Sequence, residues 1–541
     1  MNLKLLLPIL ALAMVSFQAQ AYEVLEADTN DTGFFEKGAL PAKMLAAKHE
    51  FNERNMRGAL TIYREILQAE PDNSSAQYWT ARCHYELKRY DLAIKYLDKA
   101  VEIDPKVNDN VDFFYGKIHH RLAELDLAID RFQKFLDENG NKNTFDVEEA
   151  RRFIAQCKYA KELMARPHQV SIENMGPEVN SRFDEYAPSV TAKGDKLFFT
   201  SRRSNAVGGE IDEGGDYKFY EDVYYTKQGE DGVWIDAEGV SGEVNTPTYD
   251  AVLSISPDGT SMFVYRNNQN SAGDIFVSGY DKHEDSWRAP EKMDRPVNTS
   301  YFESSVSITA DGETLYFISE RPEGQGQGDI YVAKKSGQGW GKPKNLGEVI
   351  NTELDEKFVF IHPSGKTLYF ASNGHQTMGS YDIFRTEFVN GQWSIPVNLG
   401  FPINTVNEES TFSLTRDSKT MYIAAEYDDA LGERDIYEID VSKYRLISEG
   451  YSASNYGTMI LTVQDSQGNN LKGAQVDFML ENGDRVIASE KTDKLGRVRV
   501  NLPGGVRYKA IISSRKSSGQ ISFEMILNEL GETVMKETVK L

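Results

Sequence analysis

Residues 303–340 read ESSVSITADGETLYFISERPEGQGQGDIYVAKKSGQGW, and the main features of this stretch recur along the chain at a step of 53 residues. Apolar and polar residues alternate within it, as in strands with one buried face, and an Asp-Gly turn separates the first two runs. The tryptophan at its end recurs as Trp234, Trp287, Trp340 and Trp393. A fixed period of this length predicts a repeat architecture in which each unit buries its apolar face against its neighbours.

Each repeat predicts about four strands, which is one blade of a β-propeller. Five copies of the central hairpin are marked by turns at Gly194, Gly259, Gly312, Gly365 and Ser418. The first step is 65 residues, so blade one contains a Gly-rich insertion of 12 residues. The fifth copy has no tryptophan strand, and 170–175 resembles the missing strand. We therefore expect a ring of five blades closed by strands from both ends, or of six if a degenerate blade is hidden. The motif resembles the TolB-like PD40 (WD40-like) class of propeller repeats over residues 168–450.

A second repeat precedes the propeller and is helical. Ala59, Ala93 and Ala128 recur at steps of 34 and 35 residues, and Pro71 and Pro105 each follow a predicted helix. Small residues let paired helices approach closely, and proline ends the second helix of a pair. The pattern resembles tetratricopeptide (TPR) repeats within residues 22–165, with about three units and a capping helix near 147–164. This resemblance implies binding of peptide segments or partner proteins, whereas a generic helical bundle is the alternative.

Residues 456–541 predict a separate β domain. The stretches LKGAQV (471–476), TDKLGR (492–497) and LPGG (502–505) resemble the carboxypeptidase regulatory-like domain. That resemblance implies an Ig-like or transthyretin-like β-sandwich of about seven strands with a structural or adhesive role, and it brings no peptidase residues.

The start of the chain predicts export. Lys4 precedes an apolar run from Leu5 to Phe17, and Ala19-Gln20-Ala21 follows it. This is typical of a secretory signal peptide over residues 1–21, and no later segment is long and apolar enough to span a bilayer. We therefore expect a periplasmic or outer-membrane-associated protein without direct transmembrane insertion. Its formal charge of −23 is unsuited to binding nucleic acid.

The chain contains two cysteines, Cys83 and Cys157, which is too few for a disulfide scaffold. Both fall in helical patterns about one repeat unit or more apart. We expect two buried thiols that do not bridge.

An acid recurs at the same register in all five predicted blades, just before the innermost strand. These residues are Glu185, Asp250, Glu303, Glu356 and Glu409. A ring of carboxylates near one mouth of the central channel can hold a cation or a basic side chain of a partner. The favoured alternative is structural: each acid accepts backbone N–H groups or pairs with an arginine, for which Arg202, Arg266 and Arg321 are candidates.

A second series of acids precedes the strands rich in aromatic residues. Its members are Asp222, Asp274, Asp329, Asp382 and Asp435, and turn capping explains them without a metal. The sequence predicts no catalytic residues, no cofactor and no metal site, because it contains no nucleophile elbow, no His-Glu-x-x-His motif and no phosphate loop at a helix start.

The order of the modules resembles cell-envelope proteins that usually continue into an OmpA-like domain, some of them associated with type IX secretion. The sequence ends before such a domain, so peptidoglycan binding is not expected. The combination of helical repeats, propeller and β domain in an exported chain predicts a non-catalytic scaffold. We expect it to bind other envelope proteins through the helical groove and the propeller surface. The alternative is a propeller enzyme or carbohydrate-binding protein with a ligand in the central channel.

Overall fold

The computed structural model describes residues 32–142, 144–212, 215–266, 273–337, 339–389, 391–444, 446–447, 456–481, 486–503, 507–515, 517–525 and 533–541. The predicted signal peptide, residues 1–21, lies outside the described residues. The chain divides into two compact units. One consists of the residues up to Arg151 together with Asp212–Lys218, and the other consists of Arg152–Ile211 and Phe219–Leu541.

The first unit is built from helical pairs. The helices are α1 (Thr32–Asn52), α2 (Met56–Ala69), α3 (Ser74–Glu86), α4 (Tyr90–Ile103), α5 (Val111–Arg121), α6 (Leu125–Asn139) and α7 (Phe145–Met164), the last of which continues into the second unit. Asn55 and Asn73 cap α2 and α3 by accepting the N–H groups of Gly58 and Ala76 at 2.9 Å. A Cβ on Gly116 in α5 would lie 2.6 Å from the ring of Phe132 in α6. The approach of this pair therefore requires a small residue, which agrees with the close helix pairing that the TPR resemblance implied.

The propeller forms the larger part of the second unit, and it has five sheets. Its strands are β1 (Ser171–Asn174), β2 (Glu185–Val190), β3 (Lys196–Ser201), β4 (Asp222–Lys227), β5 (Glu238–Gly239), β6 (Asp250–Ile255), β7 (Ser261–Arg266), β8 (Asp274–Asp281), β9 (Ser286–Trp287), β10 (Glu291–Lys292), β11 (Glu303–Ile308), β12 (Thr314–Ser319), β13 (Asp329–Ser336), β14 (Gly339–Trp340), β15 (Lys344–Asn345), β16 (Glu356–Ile361), β17 (Thr367–Ser372), β18 (Asp382–Val389), β19 (Gln392–Trp393), β20 (Val397–Asn398), β21 (Thr411–Leu414), β22 (Thr420–Ala425) and β23 (Asp435–Asp440).

Each sheet is antiparallel, and its first strand lies next to the first strands of neighbouring blades. The hairpin turns at Gly194, Gly259, Gly312, Gly365 and Ser418 all have positive φ, between 55° and 76°. Tight turns of this kind require that conformation, which explains the recurrent glycine.

The ring closes as the sequence predicted. Strand β1 pairs antiparallel with β23, from Ser171 opposite Asp440 to Asn174 opposite Tyr437. The N-terminal strand thus completes blade five, in which β21, β22 and β23 come from the other end of the repeat region. The described residues contain five such sheets, which confirms the prediction of five blades.

Residues 456–541 form two further sheets around one core. The strands are β24 (Tyr456–Gln464), β25 (Gln475–Leu480), β26 (Val486–Lys491), β27 (Arg497–Pro503), β28 (Arg507–Ser513), β29 (Ser518–Glu524) and β30 (Thr533–Lys540). Strand order is β27-β24-β30 in one sheet and β26-β25-β28-β29 in the other. Both sheets contribute to a core that includes Leu461, Phe478 and Ile512. The carboxypeptidase regulatory-like assignment of this region stays a prediction.

The two cysteines are buried thiols and form no disulfide, as expected. Cys157 lies in the part of α7 that belongs to the second unit. There Gln156 donates from Nε2 to Thr377 Oγ1 and to the Gly379 carbonyl, both at 2.7 Å, so this half of the helix is bonded to blade four.

Three of the repeated tryptophans pack against an aromatic ring of the preceding blade. The ring of Trp287 lies 5.7 Å from that of Phe198 in β3, Trp393 lies 6.0 Å from Tyr316 in β12, and Trp234 lies 5.8 Å from Tyr422 in β22. The repeat pattern predicts that each tryptophan packs against its own blade, and Trp287 and Trp393 do so, 5.1 Å from the rings of Tyr280 and Phe388. The contact with the preceding blade is additional, because the tryptophan strand lies at the outer edge of its blade, where the second strand of the neighbour is within reach.

Trp287 is the most buried of the four, with 5% of its surface exposed. We predict that Trp287→Ala lowers the free energy of unfolding by about 3 kcal/mol or more, because a large cavity opens between two blades. The half-buried Trp393→Ala should cost less. Urea titration of both variants tests this, and a smaller loss for Trp287→Ala than for Trp393→Ala would contradict the packing.

Candidate functional sites

An asparagine before each blade bonds to the third strand of the preceding blade. Asn298 accepts the N–H of Ile275 at 3.0 Å through Oδ1 and donates to the Ile275 carbonyl at 2.8 Å through Nδ2. The side chain thereby acts as a substitute for one residue of a neighbouring strand. The same pair of bonds joins Asn180 to Ile436, Asn245 to Val223, Asn351 to Ile330 and Asn404 to Ile383.

The recurrent acid follows this asparagine, and its carboxylate is held by the next residue in the motif. Thr299 donates both its N–H and its hydroxyl to Glu303, at 2.9 and 2.7 Å. The backbone N–H of Glu303 in turn donates to the Gly273 carbonyl of blade two at 3.3 Å. Equivalent bonds hold Glu185, Asp250, Glu356 and Glu409. All five acids are at most 1% exposed. The structure therefore places the five carboxylates inside the blades, and binding of a ligand by them stays a prediction.

The second strand supplies a further donor to four of the five carboxylates. Ser201, Ser319 and Ser372 donate their hydroxyls to Glu185, Glu303 and Glu356 at 2.6–2.8 Å. In blade two the serine position is Arg266, which donates from Nε to the shorter Asp250 at 2.6 Å. The longer donor thus compensates for the shorter acid. In blade five this position is Ala425.

Among the described residues, arginines accompany the acid in blades one to three and not in blades four and five. Arg321 and Arg266 approach Glu303 and Asp250, as the sequence predicted. The prediction of Arg202 as the partner of Glu185 is wrong, because Arg203 lies 3.3 Å from that carboxylate, whereas Arg202 donates to the Phe219 carbonyl. Neighbouring residues on an extended chain point to opposite sides, so the position adjacent to the predicted one faces the acid.

Burial raises the pKa of the carboxyls that have no arginine. The pKa of Glu356 is raised to about 7 and that of Glu409 to about 8, chiefly by desolvation. The pKa values of Glu185 and Asp250 are also raised by burial, although Arg203 and Arg266 oppose the shift. Keeping the buried carboxyl ionised is therefore least favourable in blades four and five.

The second acid series caps loops, as the sequence predicted. Asp382 accepts the N–H groups of Met378 and Gly379 at 2.8 and 3.2 Å, and Asp435 accepts those of Leu431 and Gly432 at 2.7 and 3.1 Å. Asp222 and Asp329 similarly accept a backbone N–H, whereas Asp274 pairs with Lys292 at 2.7 Å. Among the described residues, no group of three or more His, Cys, Asp or Glu side chains could hold a metal ion.

The innermost strands surround a small cavity on the propeller axis. Its lining includes Ser189 of β2, Ser254 of β6, Ser307 of β11, Phe360 of β16 and Phe412 of β21. The cavity volume is about 30 Å³, which suits one or two water molecules. It is too small for a sugar ring.

The helical unit presents a row of cations on aromatic rings. Lys48, Arg82 and Lys117 occupy the same register of α1, α3 and α5, at steps of 34 and 35 residues. Arg82 lies 5.2 Å from the ring centre of Phe114, and Lys48 Nζ lies 5.2 Å from that of Trp79. This row was not predicted from the sequence, although the repeat step that reveals the buried alanines also reveals these residues.

Comparison with known proteins agrees with the helical repeats. Residues 44–108 match the tetratricopeptide repeat family model. The Hsp70-Hsp90 organising protein of Plasmodium falciparum (isolate 3D7) is 27% identical over 153 residues, which is 25% of this chain. The matched region spans 27% of the length of that curated relative.

Solved structures show distant likenesses to both units. TolB from Acinetobacter baumannii is 14% identical with a TM-score of 0.31, over 55% of this chain and 70% of that chain. The first TPR of Spaghetti (RPAP3), solved with the HSP90 peptide SRMEEVD, is 17% identical with a TM-score of 0.21, over 23% of this chain and 94% of that chain. At these TM-scores neither likeness bears on function.

The structure gives one further negative finding. No helix in the described part of the chain combines the length and apolarity needed to cross a membrane.

We predict that Glu409 makes stability depend on pH. Its pKa rises from 4.5 in the unfolded chain to about 8 in the fold, so the folded state binds the proton more tightly. The stability that this provides is full below the unfolded pKa and is lost as the pH rises towards 8. In Glu409→Gln, the decline of the unfolding free energy between these pH values should be smaller by about 1 kcal/mol per pH unit.

Urea titrations at several pH values measure this difference. The exposed Glu353→Gln is the matched control and should keep the wild-type slope. An unchanged slope in Glu409→Gln would show that this carboxyl does not gain a proton on folding.

Proposed function

We propose that this protein is a non-catalytic scaffold of the cell envelope that binds other proteins through its helical repeats and propeller surface. The observation that carries the proposal is the cationic and aromatic row on the TPR unit. Binding surfaces are typically enriched in arginine and large aromatic residues. The relative named as an Hsp70-Hsp90 organising protein supports binding of other proteins as the role of the array.

The envelope setting rests on the sequence. The signal-peptide pattern of residues 1–21 supports export, and the order of the modules supports a place in a secretion or envelope complex of the type IX kind. The repeated bonds of the blades support a structural role for the propeller, since each blade uses its acid in the same way. The size of the axial cavity counts against the alternative of a sugar held there.

A co-purification series tests the proposal. Deleting α1–α6 (Thr32–Asn139) should abolish capture of partners from crosslinked cells, because the groove is lost. The deletion keeps α7, since Gln156 bonds to blade four and its removal would disturb the propeller. Partner capture that survives this deletion would contradict binding through the array.

The variant to compare with this deletion is one in which the five recurrent acids, the acid ring, are neutralised; we call it the ring variant. Glu185→Gln, Asp250→Asn, Glu303→Gln, Glu356→Gln and Glu409→Gln together should leave partner capture intact in the fraction that folds. Because these carboxylates accept bonds inside the blades, circular dichroism and thermal unfolding must first establish that fraction. Loss of partner capture in a folded ring variant would favour the channel-ligand alternative. Turnover of a sugar or peptide by the wild-type protein that is lost in the ring variant would favour it as well.

A further inference from the structure

The β domain carries a positive charge, unlike the rest of the chain. Residues 456–541 contain twelve Lys and Arg and ten Asp and Glu, so their net charge is +2. Since the whole chain carries −23, the other 455 residues carry −25. A charge asymmetry of this kind points to an anionic partner for the basic part of a chain.

One face of the sheet β27-β24-β30 is turned away from the core of the β domain. In β24, Met459, Leu461 and Val463 are fully buried in that core. Side chains alternate between the two faces of a strand, so Ile460 and Thr462 lie on the outer face. Both are only half-buried, and the outer face is therefore open to solvent in the described chain.

The two edge strands bring cations to this outer face. Residues that are paired across neighbouring strands point to the same side of the sheet. Arg499 and Lys536 both lie opposite Ile460, on either side of it, so about 10 Å separates their backbones. The exposed cations that the strand register places on this face, which we call the basic face, are Arg497, Arg499, Lys536 and Lys540.

The charges of the basic face are largely uncompensated. Among the described residues, the side chains of Arg499, Lys536 and Lys540 form no ion pair, whereas Arg497 lies 3.7 Å from Asp493. The one acid in the three strands, Glu537 of β30, is paired with the buried Leu461 and so lies on the other face. The outer face of this sheet therefore has a positive potential.

The turn before β27 adds an apolar residue at the edge of the basic face. Val463 donates its N–H to the Gly496 carbonyl at 2.8 Å, which holds this turn against the end of β24. Lys494 and Leu495 in the turn are exposed, and Leu495 has 52% of its surface in solvent. Cations beside an exposed leucine suit a lipid surface, where the charges meet headgroups and the apolar side chain enters the boundary with the acyl chains.

Resting on the proposed place in the cell envelope, we infer that the basic face binds the surface of an anionic lipid membrane. Its cations contact the phosphate groups of the headgroups, and Leu495 enters the headgroup layer. The contact is peripheral, and it would hold the β domain at the membrane while the helical array binds other proteins.

The negative charge of the whole chain does not oppose this contact strongly. At physiological ionic strength, exposed charges more than about 8 Å apart are largely screened from each other. Attraction to a membrane is therefore decided by the charges that lie next to it, and on the basic face these are positive.

The arrangement of the cations favours a surface over other anions. A free phosphate needs donors that converge on one point, whereas these cations are spread over a flat sheet. An acidic protein would meet the same charges but has no lipid boundary for Leu495. Both alternatives become outcomes of the test.

The test measures cosedimentation of the purified chain with two kinds of vesicle. One kind contains phosphatidylglycerol mixed with phosphatidylcholine, and the other contains phosphatidylcholine alone. The chain should bind the anionic vesicles at least about tenfold more tightly, and this preference should fall as salt rises, because salt screens the attraction.

The double variant Arg499→Gln with Lys536→Gln should weaken binding to anionic vesicles at least about tenfold, since one cation near such a surface contributes about fivefold. The matched control, Lys491→Gln with Arg515→Gln, removes the same charge from exposed positions of the other sheet and should stay within about twofold of wild type. Leu495→Ser should weaken binding at least about threefold. If circular dichroism shows that the double variant does not fold, Lys540→Gln replaces it, with an expected loss of about fivefold.

Equal binding of the two kinds of vesicle would overturn the inference, as would an equal loss in the control variant or no loss in Leu495→Ser. Soluble polyglutamate that binds as tightly as the anionic vesicles would assign the face to an acidic protein. Complete displacement from the vesicles by inorganic phosphate at constant ionic strength would assign it to a free anion, and either result would also overturn the inference.

Partner capture tests the scaffold role separately. Capture that is lost on deletion of α1–α6, in a protein that does not bind anionic vesicles, would overturn the lipid surface alone. Vesicle binding in a protein whose capture survives the deletion would overturn binding of partners through the array alone.

Discussion

The contact between consecutive blades depends on one short motif that crosses from each blade to the next. Its asparagine pairs with the third strand of the blade behind, as Asn298 does with Ile275, and its acid enters the innermost strand of the blade ahead. The acid is buried at every interface, and the asparagine is buried at four of them and half-buried at the fifth, where it is Asn245. A polar group at such a place is stable only when all its bonds are made, so the motif fixes the register of each blade against its neighbour.

Closure of the ring uses the same bonds as every other interface. Asn180 pairs with Ile436 of the last blade, and the N–H of Glu185 donates to the Arg434 carbonyl. The added pairing of β1 with β23 gives blade five the edge strand that its own sequence does not supply. The first and last blades are thus joined both by backbone hydrogen bonds between strands and by side-chain hydrogen bonds. This pairing avoids an exposed sheet edge at the closure of the ring.

The two kinds of repeat in this chain use their recurrent positions for opposite purposes. In the propeller, the recurrent acids accept hydrogen bonds within the fold, and these bonds stabilise the contacts between blades. In the TPR unit, Lys48 and Arg82 are supported by rings and keep donors that no described acid uses. The charged groups that remain available for a partner therefore lie on the helices. For this reason the functional proposal is based on the helical array and not on the five recurrent acids.

The sequence by itself determined the periods, and with them the helical pairs, the five hairpins, their glycine turns and the strand that closes the ring. These features depend on local spacing, which one chain displays directly. Only the tertiary structure decided that Arg203 rather than Arg202 meets Glu185, that Trp287 packs on the blade behind, and that the acids lie buried among Thr and Ser donors. Such choices depend on which face of a strand meets which neighbour in space, and a one-residue difference in the sequence reverses that face.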